Sequence, residues 1–306
     1  MFAATGASTD AELQENLGTV EYNERIRQHY ETFITEEDFR RLSSIVRNAV
    51  RIPVPWHVFG LQTDSATYIS SIDYIDRAME WGSKYNVSVL LDLATVPGGQ
   101  GDSNEPQTTS RYIADWHSST NGRHVALEVL ERLAARYAVA DALYGIELLD
   151  SPVMSVRKNM FTMTDGIPGH YLRNFYRDAY DLLRKHMTND KAVVFSASGY
   201  PGFCKLFMRS SQSKTVMLDV HLYHYHDENA QDITSPRGLS AAIARNKAQI
   251  HEAVGTGFPV IIGEWSAAAV MSSASVTPEG RSAYERVFVA NQLASFSQAE
   301  GWFFQT

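Results

Sequence analysis

Short, almost wholly apolar runs alternate with longer amphipathic stretches along most of this chain. Residues 87–93, 143–149, 192–195, 216–223, 259–262 and 302–304 read as strands, rich in Val, Ile, Leu and Phe, with 87–93 and 259–262 as buried ones. Residues 49–54 read as a further short strand, which Pro53 is expected to end. Between these runs the apolar positions recur every three or four residues, the helical period. Residues 71–85 place Ile72, Ile75, Met79 and Trp81 toward a core, and 123–137 do the same with Val125, Leu127, Val129, Leu130 and Leu133. Further helices are expected over 171–187, 239–254 and 281–299.

The N-terminal part follows the same logic less clearly. Residues 1–20 read as an irregular, partly helical lead-in. Thr35-Glu36-Glu37-Asp38 opens a helix, because a hydroxyl can cap the first turn and acidic groups favour its positive end. That helix carries Phe39, Leu42 and Ile45 on one face. Seven strands separated by helices of 12–20 residues predict an α/β fold with a parallel sheet, and this rhythm favours a TIM (β/α)8 barrel over a doubly wound sheet. No linker or low-complexity tract interrupts residues 1–306, so a single domain is expected. The Gly- and Ser-rich loop over 98–121 is long enough to carry function.

In a barrel, the residues just past each strand gather at one rim. Here they are Arg51, Asp92 with Ala94, Asp150 with Ser151, residues 196–200, His221 with Tyr223, Glu264 with Trp265, and Gln305. A polar, charged and aromatic set following greasy strands marks a candidate site. For Glu264 alone, an ordinary solvated strand end is the competing reading, and for His221 a hydrogen-bonded rim histidine.

Composition narrows the chemistry. A net charge of −8 and a pI near 5.7 argue against nucleic acid or an anionic membrane as partner. Cys204 is the only cysteine, so neither an intrachain disulfide nor a thiolate metal cluster is available. His221, His224 and His226 lie close in sequence, but strand alternation splits the first from the second, so no metal site is implied; His224 and His226 read as loop polar residues. No Gly-rich phosphate-binding signature follows a strand, and no cofactor is expected. No run approaches the ~18 apolar residues of a membrane span. Met1–Gly6 shows no basic region leading into an apolar run, so no signal peptide is visible.

Four segments bring a specific resemblance. Phe33-Ile34-Thr35-Glu36-Glu37-Asp38-Phe39, Val50-Arg51-Ile52-Pro53-Val54, Gly145-Ile146-Glu147-Leu148-Leu149 and Gly263-Glu264-Trp265-Ser266-Ala267-Ala268 resemble, in order, glycoside hydrolase family 5. Within it they are most similar to the exo-β-1,3-glucanase branch of fungi and oomycetes. The resemblance implies a TIM barrel that acts on β-glucan oligosaccharides or polysaccharides by a retaining mechanism, as a monomer and usually secreted or wall-associated. That mechanism uses two carboxyl groups roughly 5–5.5 Å apart, one as nucleophile and one as acid and then base. Glu264 matches the family nucleophile. Arg51, His221 and Tyr223 match residues that orient it and the sugar, with Trp265 beside them. Tyr200 and Phe203 are candidates for an outer stacking subsite, ordinary packing being equally open.

The chain also departs from the family pattern. Where the family reads Asn-Glu-Pro, this chain has Asp150-Ser151-Pro152, so Ser151 stands at the acid/base position. Asp150 is then a substitute acid or a sugar contact, while Glu147 reads as structural. Asp92-Leu93-Ala94 replaces Asp-Leu-His, and Phe304-Gln305-Thr306 replaces Phe-Trp-Thr. The family's first strand and last helix are expected to lie outside residues 1–306. Weak hydrolysis or transglycosylation is one expectation; a glucan-binding protein without turnover is the other, and a non-functional truncated product a third.

Overall fold

A computed structural model describes residues 5–7, 10–45, 49–62, 67–99, 116–119, 121–157, 159, 163–197, 199–206, 215–225, 232–271 and 277–305. The chain divides into two compact units, Met1–Val193 and Val194–Thr306.

The first unit begins with helices α1 (Asp10–Leu17) and α2 (Thr19–Thr32). Leu13, Tyr22 and Ile26 bury against one another there, so the lead-in is helical well beyond what its weak periodicity announced. Helix α3 (Glu36–Ser43) starts as expected: the Asp38 carboxylate accepts from the Thr35 backbone N–H and hydroxyl, both at 2.8 Å. Its face is shorter than expected. Phe39 is buried, but Ile45 lies past the last turn, in solvent.

Strand β1 (Ala49–Val54) pairs in parallel with β2 (Ser88–Leu93), and β2 with β3 (Leu143–Glu147). Pro53 does not end β1; it sits within the strand, opposite Asp92. Among the described residues β1 ends the strand order, so Pro53 meets no second ladder there. Between the strands run α4 (Ile72–Tyr85) and α5 (Gly122–Tyr137), with α6 (Gly169–Leu183) leading to β4 (Ala192–Ser196). In α4 the inward face is Ile75, Ala78, Met79 and Gly82, with Ile72 and Trp81 half-buried at its margins. Gly145 is required where it stands: a Cβ would lie 2.3 Å from the Ala192 carbonyl oxygen. Of the loop over 98–121, residues 98–99, 116–119 and 121 are described, including a turn of 3-10 helix at Trp116–Ser118, and residues 100–115 and 120 lie outside them.

The second unit carries β5 (Val216–His224), α7 (Pro236–Val254), β6 (Val260–Ala269), α8 (Pro278–Ser295) and β7 (Gly301–Phe304). Both helices use the same start, a hydroxyl cap followed by proline. Ser235 Oγ accepts from Gly238 N–H at 3.0 Å, and Thr277 Oγ1 from Gly280 N–H at 3.1 Å. Strand β6 pairs in parallel with β5 and with β7. It runs on to Ala269, so Glu264 lies in mid-strand rather than at the strand's tip.

The β5–β6 register explains how. Ile262 faces Val220, but Glu264 faces His221, so Gly263 is an extra residue bulged out of β6. Side chains alternate with a period of two, so an unbulged strand would point Glu264 away from the face that carries Asp219, His221 and Tyr223. The bulge turns it onto that face. Glycine is needed at the bulge because a Cβ would come within 2.2 Å of Asp219 Oδ2. The Gly263 N–H instead donates to Asp219 Oδ1 at 2.5 Å. No helix among the described residues is long and apolar enough to cross a membrane.

Candidate active site

Each unit gathers part of the candidate set. In the first, Arg51 is buried on β1 among three carboxylates. Its Nε donates to Glu147 Oε2 at 2.9 Å, and one terminal nitrogen lies 3.1 Å from both Asp92 Oδ2 and Asp150 Oδ1. Strand register brings these groups together: Asp92 is level with Pro53 on one side and with Glu147 on the other, so Arg51, two residues before Pro53, shares their face. Asp92 and Glu147 are fully buried, and Asp150 is 4% exposed. One guanidinium thus answers three acidic groups. Glu147, expected to be structural, is a partner of Arg51, and the Asp150 carboxylate is held as an acceptor by the same cation.

Ser151 follows in a left-handed backbone conformation, φ 33°. A non-glycine residue there costs of order 1–3 kcal/mol and persists only where its surroundings impose it. The Asp150 N–H donates to the Leu93 carbonyl at 3.0 Å, which ties this turn to the end of β2.

In the second unit, Asp219, His221 and Tyr223 alternate along β5 and face Glu264. Glu264 is 5% exposed, and Tyr223 Oη donates to its Oε2. His221 Nε2 lies 2.8 Å from Asp219 Oδ2, and its Nδ1 lies 3.5 Å from Glu264 Oε2. Asp219 therefore serves two ends at once, steering the His221 ring with one oxygen and closing the Gly263 bulge with the other. Tyr223 Oη also meets the Gln305 side-chain amide, at 2.7 Å.

The remaining expected residues fall outside these clusters. Trp265 is 2% exposed, its ring boxed edge-on by Phe296, Trp302 and Phe304 with centroids 5.0–5.4 Å away; the structure places it in the core. Tyr200 is exposed in the turn after β4, and Phe203 is half-buried in the 3-10 segment Pro201–Leu206 that follows. In that segment burial pushes the Cys204 thiol up to about 12. His224 is not a loop residue. It closes β5, almost fully buried, with Nε2 2.8 Å from Asn246 Oδ1, Nδ1 facing the Arg245 guanidinium at 3.2 Å, and the Phe288 ring against it. His226 lies outside the described residues.

Asp219 and Asn246 are the partners that sequence reasoning did not single out. For Asp219 the signal was present, as the first residue of the Asp-x-His-x-Tyr spacing that puts three side chains on one strand face. Asn246 lies in the middle of an ordinary amphipathic helix and carried none.

A buried carboxylate presented by a β-strand, with a phenol and an imidazole on its neighbour strand, is the equipment of a glycoside-processing α/β protein. The chain matches Cellulase (glycosyl hydrolase family 5) over residues 9–297, and it belongs to that family. Among its relatives, the glucan 1,3-beta-glucosidase of Pichia angusta is 26% identical over 281 residues, 90% of this chain and 61% of the relative. That of Kluyveromyces lactis is 28% identical over 284 residues, 89% of this chain and 61% of the relative. The chain thus spans about three fifths of the length of these relatives. Two solved structures share the fold over 100% of this chain: AoRut, at a TM-score of 0.78 and 18% identity with 82% of that chain covered, and rutinosidase from Aspergillus niger, at 0.76 and 19% with 83% covered. The fold is the TIM-barrel-like α/β fold of family 5 enzymes.

Proposed function

We propose that this chain acts on β-glucans by a retaining mechanism in which Glu264 is the nucleophile and no carboxyl group occupies the acid/base position. The observation that carries the reading is the Glu264 carboxylate itself: buried, re-aimed by a bulge, and held by Tyr223 with His221 beside it. Holding a carboxylate in one orientation lowers the entropic cost of attack at a sugar C1. The relatives named as glucan 1,3-beta-glucosidases support β-1,3-glucan as the substrate class. His221 and Tyr223 orient the Glu264 carboxylate, and Tyr200 and Phe203 form an outer stacking surface. Trp265 acts from beneath, as packing.

Ser151 carries a hydroxyl, a far weaker acid than a carboxyl group, and Asp150 is engaged by Arg51. The first step is therefore attack of a Glu264 oxygen on C1 with departure of the leaving group as its anion. In the second, an acceptor lone pair attacks C1, the bond to Glu264 breaks, and a hydroxyl acceptor gives up its proton to solvent water. Donors with stable leaving anions and acceptors that are already nucleophilic are favoured, so transfer outpaces hydrolysis. General acid catalysis contributes roughly 10²–10⁴-fold, and that factor is what unactivated glucosides lose here.

A dinitrophenyl 2-deoxy-2-fluoro-β-glucoside tests this, since its leaving group needs no proton. Intact mass and peptide mapping are expected to show one fluoroglucosyl group on Glu264 in the wild type and none in Glu264→Ala. Equal, non-specific labelling of both proteins refutes it. A second reading, glucan binding without turnover, draws on Ser151 and the Arg51-bound Asp150. It predicts laminari-oligosaccharide binding by calorimetry with no label at all.

A further inference from the structure

Tyr223 Oη meets Glu264 Oε2 and, at 2.7 Å, Gln305 Oε1, but a phenol has one proton to give. The carboxylate accepts only, so the Tyr223 proton goes to Glu264. What Tyr223 then turns to Gln305 is lone pairs. A carbonyl oxygen facing lone pairs at 2.7 Å is repulsive, whereas the amide nitrogen at the same place donates. The two ends of a glutamine amide are nearly indistinguishable in shape, so their assignment follows from the hydrogen-bond network. Nothing opposes the exchange. Among the described residues the Gln305 side chain makes no other hydrogen bond, while its backbone N–H is anchored to the Trp265 carbonyl at 2.9 Å.

We infer that Gln305 is a positioning residue for Glu264, acting through Tyr223: its Nε2–H donates to Tyr223 Oη, which donates to the carboxylate. The inference rests on the reading of Glu264 as the nucleophile for its functional meaning, though not for its geometry. The backbone supports the placement. Trp265, next to Glu264, pairs with Phe304, next to Gln305, so the β6–β7 ladder sets the amide against the phenol. Donation into Oη makes the Tyr223 O–H a stronger donor, an effect of roughly a tenth to a third per bond, and stops the phenol from turning away. Here, where the chain departs from Phe-Trp-Thr, an amide supports the nucleophile. The charged and titratable groups facing Glu264 from its own unit are Tyr223, His221 and, behind His221, Asp219.

The test is a ¹³C NMR titration of the Glu264 side-chain carboxyl, assigned by its disappearance in Glu264→Gln. In Gln305→Met, which keeps the length and removes the donor, that titration is expected to move to higher pH, because the hydrogen bond to the charged form weakens. Were Gln305 instead an acceptor competing for the Tyr223 proton, its removal would move the titration to lower pH. A fall or no change overturns the inference. A second measurement does not depend on the folding of the Gln305 variant. The Gln305 side-chain amide protons are expected to move upfield in Tyr223→Phe; unmoved protons overturn it too. Labelling by the fluoroglucoside separates this from the reading beneath it. Label without the titration shift sinks the relay alone. The titration shift without label sinks the nucleophile and leaves Gln305 as the group that sets the state of the Glu264 carboxylate.

Discussion

The two units prepare their charged groups in opposite ways. In Met1–Val193 a single buried cation, Arg51, is shared by Asp92, Glu147 and Asp150. In Val194–Thr306 the buried Glu264 carboxylate receives a phenol and faces an imidazole, and the buried Asp219 carboxylate is turned onto that imidazole and the Gly263 bulge. The first arrangement saturates its charge; the second presents it. Most of the departures from the family pattern, Ala94, Asp150 and Ser151, fall in the first unit, while Asp219, His221, Tyr223 and Glu264 keep the expected spacing in the second.

The sharpest way to break this contrast is Arg51→Met. Removing the cation leaves three buried carboxylates facing one another, and taking one partner from a buried ion pair costs about 3–5 kcal/mol. Urea unfolding is expected to show a loss of that size, or a protein that does not fold. A loss below about 1 kcal/mol would mean that Arg51 does not organise its unit. Next comes Ser151→Glu, which restores a carboxyl group at the acid/base position. Turnover of glucosides with alkyl leaving groups is expected to rise by roughly 10²–10⁴-fold, with little change for dinitrophenyl glucosides. An equal gain on both substrates would show that Ser151 is not where protonation fails.

The smallest effect sharpens the comparison. Cys204 lies in the second unit, buried, with its thiol raised from 9.0 to about 12. At pH 8 roughly one thiol in 10⁴ is ionised, so iodoacetamide is expected to modify the protein only after unfolding. Because the folded value is the higher one, the thiol's contribution to stability is whole below about 9 and declines as pH rises from there toward 12. Titrating Cys204 alkylation against urea in wild type and Arg51→Met shows whether loosening the first unit opens the second. Coincident midpoints mean one cooperative transition; separate midpoints mean that each unit holds its charged cluster by itself.

Sequence periodicity alone laid out most of the elements. Seven apolar runs became seven strands: the five inner ones are buried along most of their length, which needs an unbroken greasy stretch and is a local requirement, while β1 and β7 are only partly buried. The helix start at Thr35 was legible because a hydroxyl and acidic first-turn residues marked it, whereas the last helix begins at Pro278 rather than 281, its Thr277 cap having gone unread. Helix α2 was not legible, since its buried contacts, Tyr22 and Ile26, are too few to show as a period. Ile45 and His224 were misread because a few flanking residues cannot say where a helix or strand stops.

The candidate site divides along the same line. Residue identities at 51, 150, 151, 221, 223 and 264 were legible because their motifs are short and contiguous. What those side chains do was not. Strict alternation puts Glu264 on the wrong face of β6; only the bulge at Gly263, enforced by the Asp219 carboxylate from the neighbouring strand, turns it toward His221 and Tyr223. The sharing of Arg51 by groups up to 99 residues away, and the meeting of Gln305 with Tyr223 across 82, are likewise set by strand register. Sequence determines which groups are available and on which element each rides. Only tertiary structure decides which meet, because hydrogen bonds and ion pairs act over about 3 Å, and that distance is set by neighbouring strands rather than by neighbours in the chain.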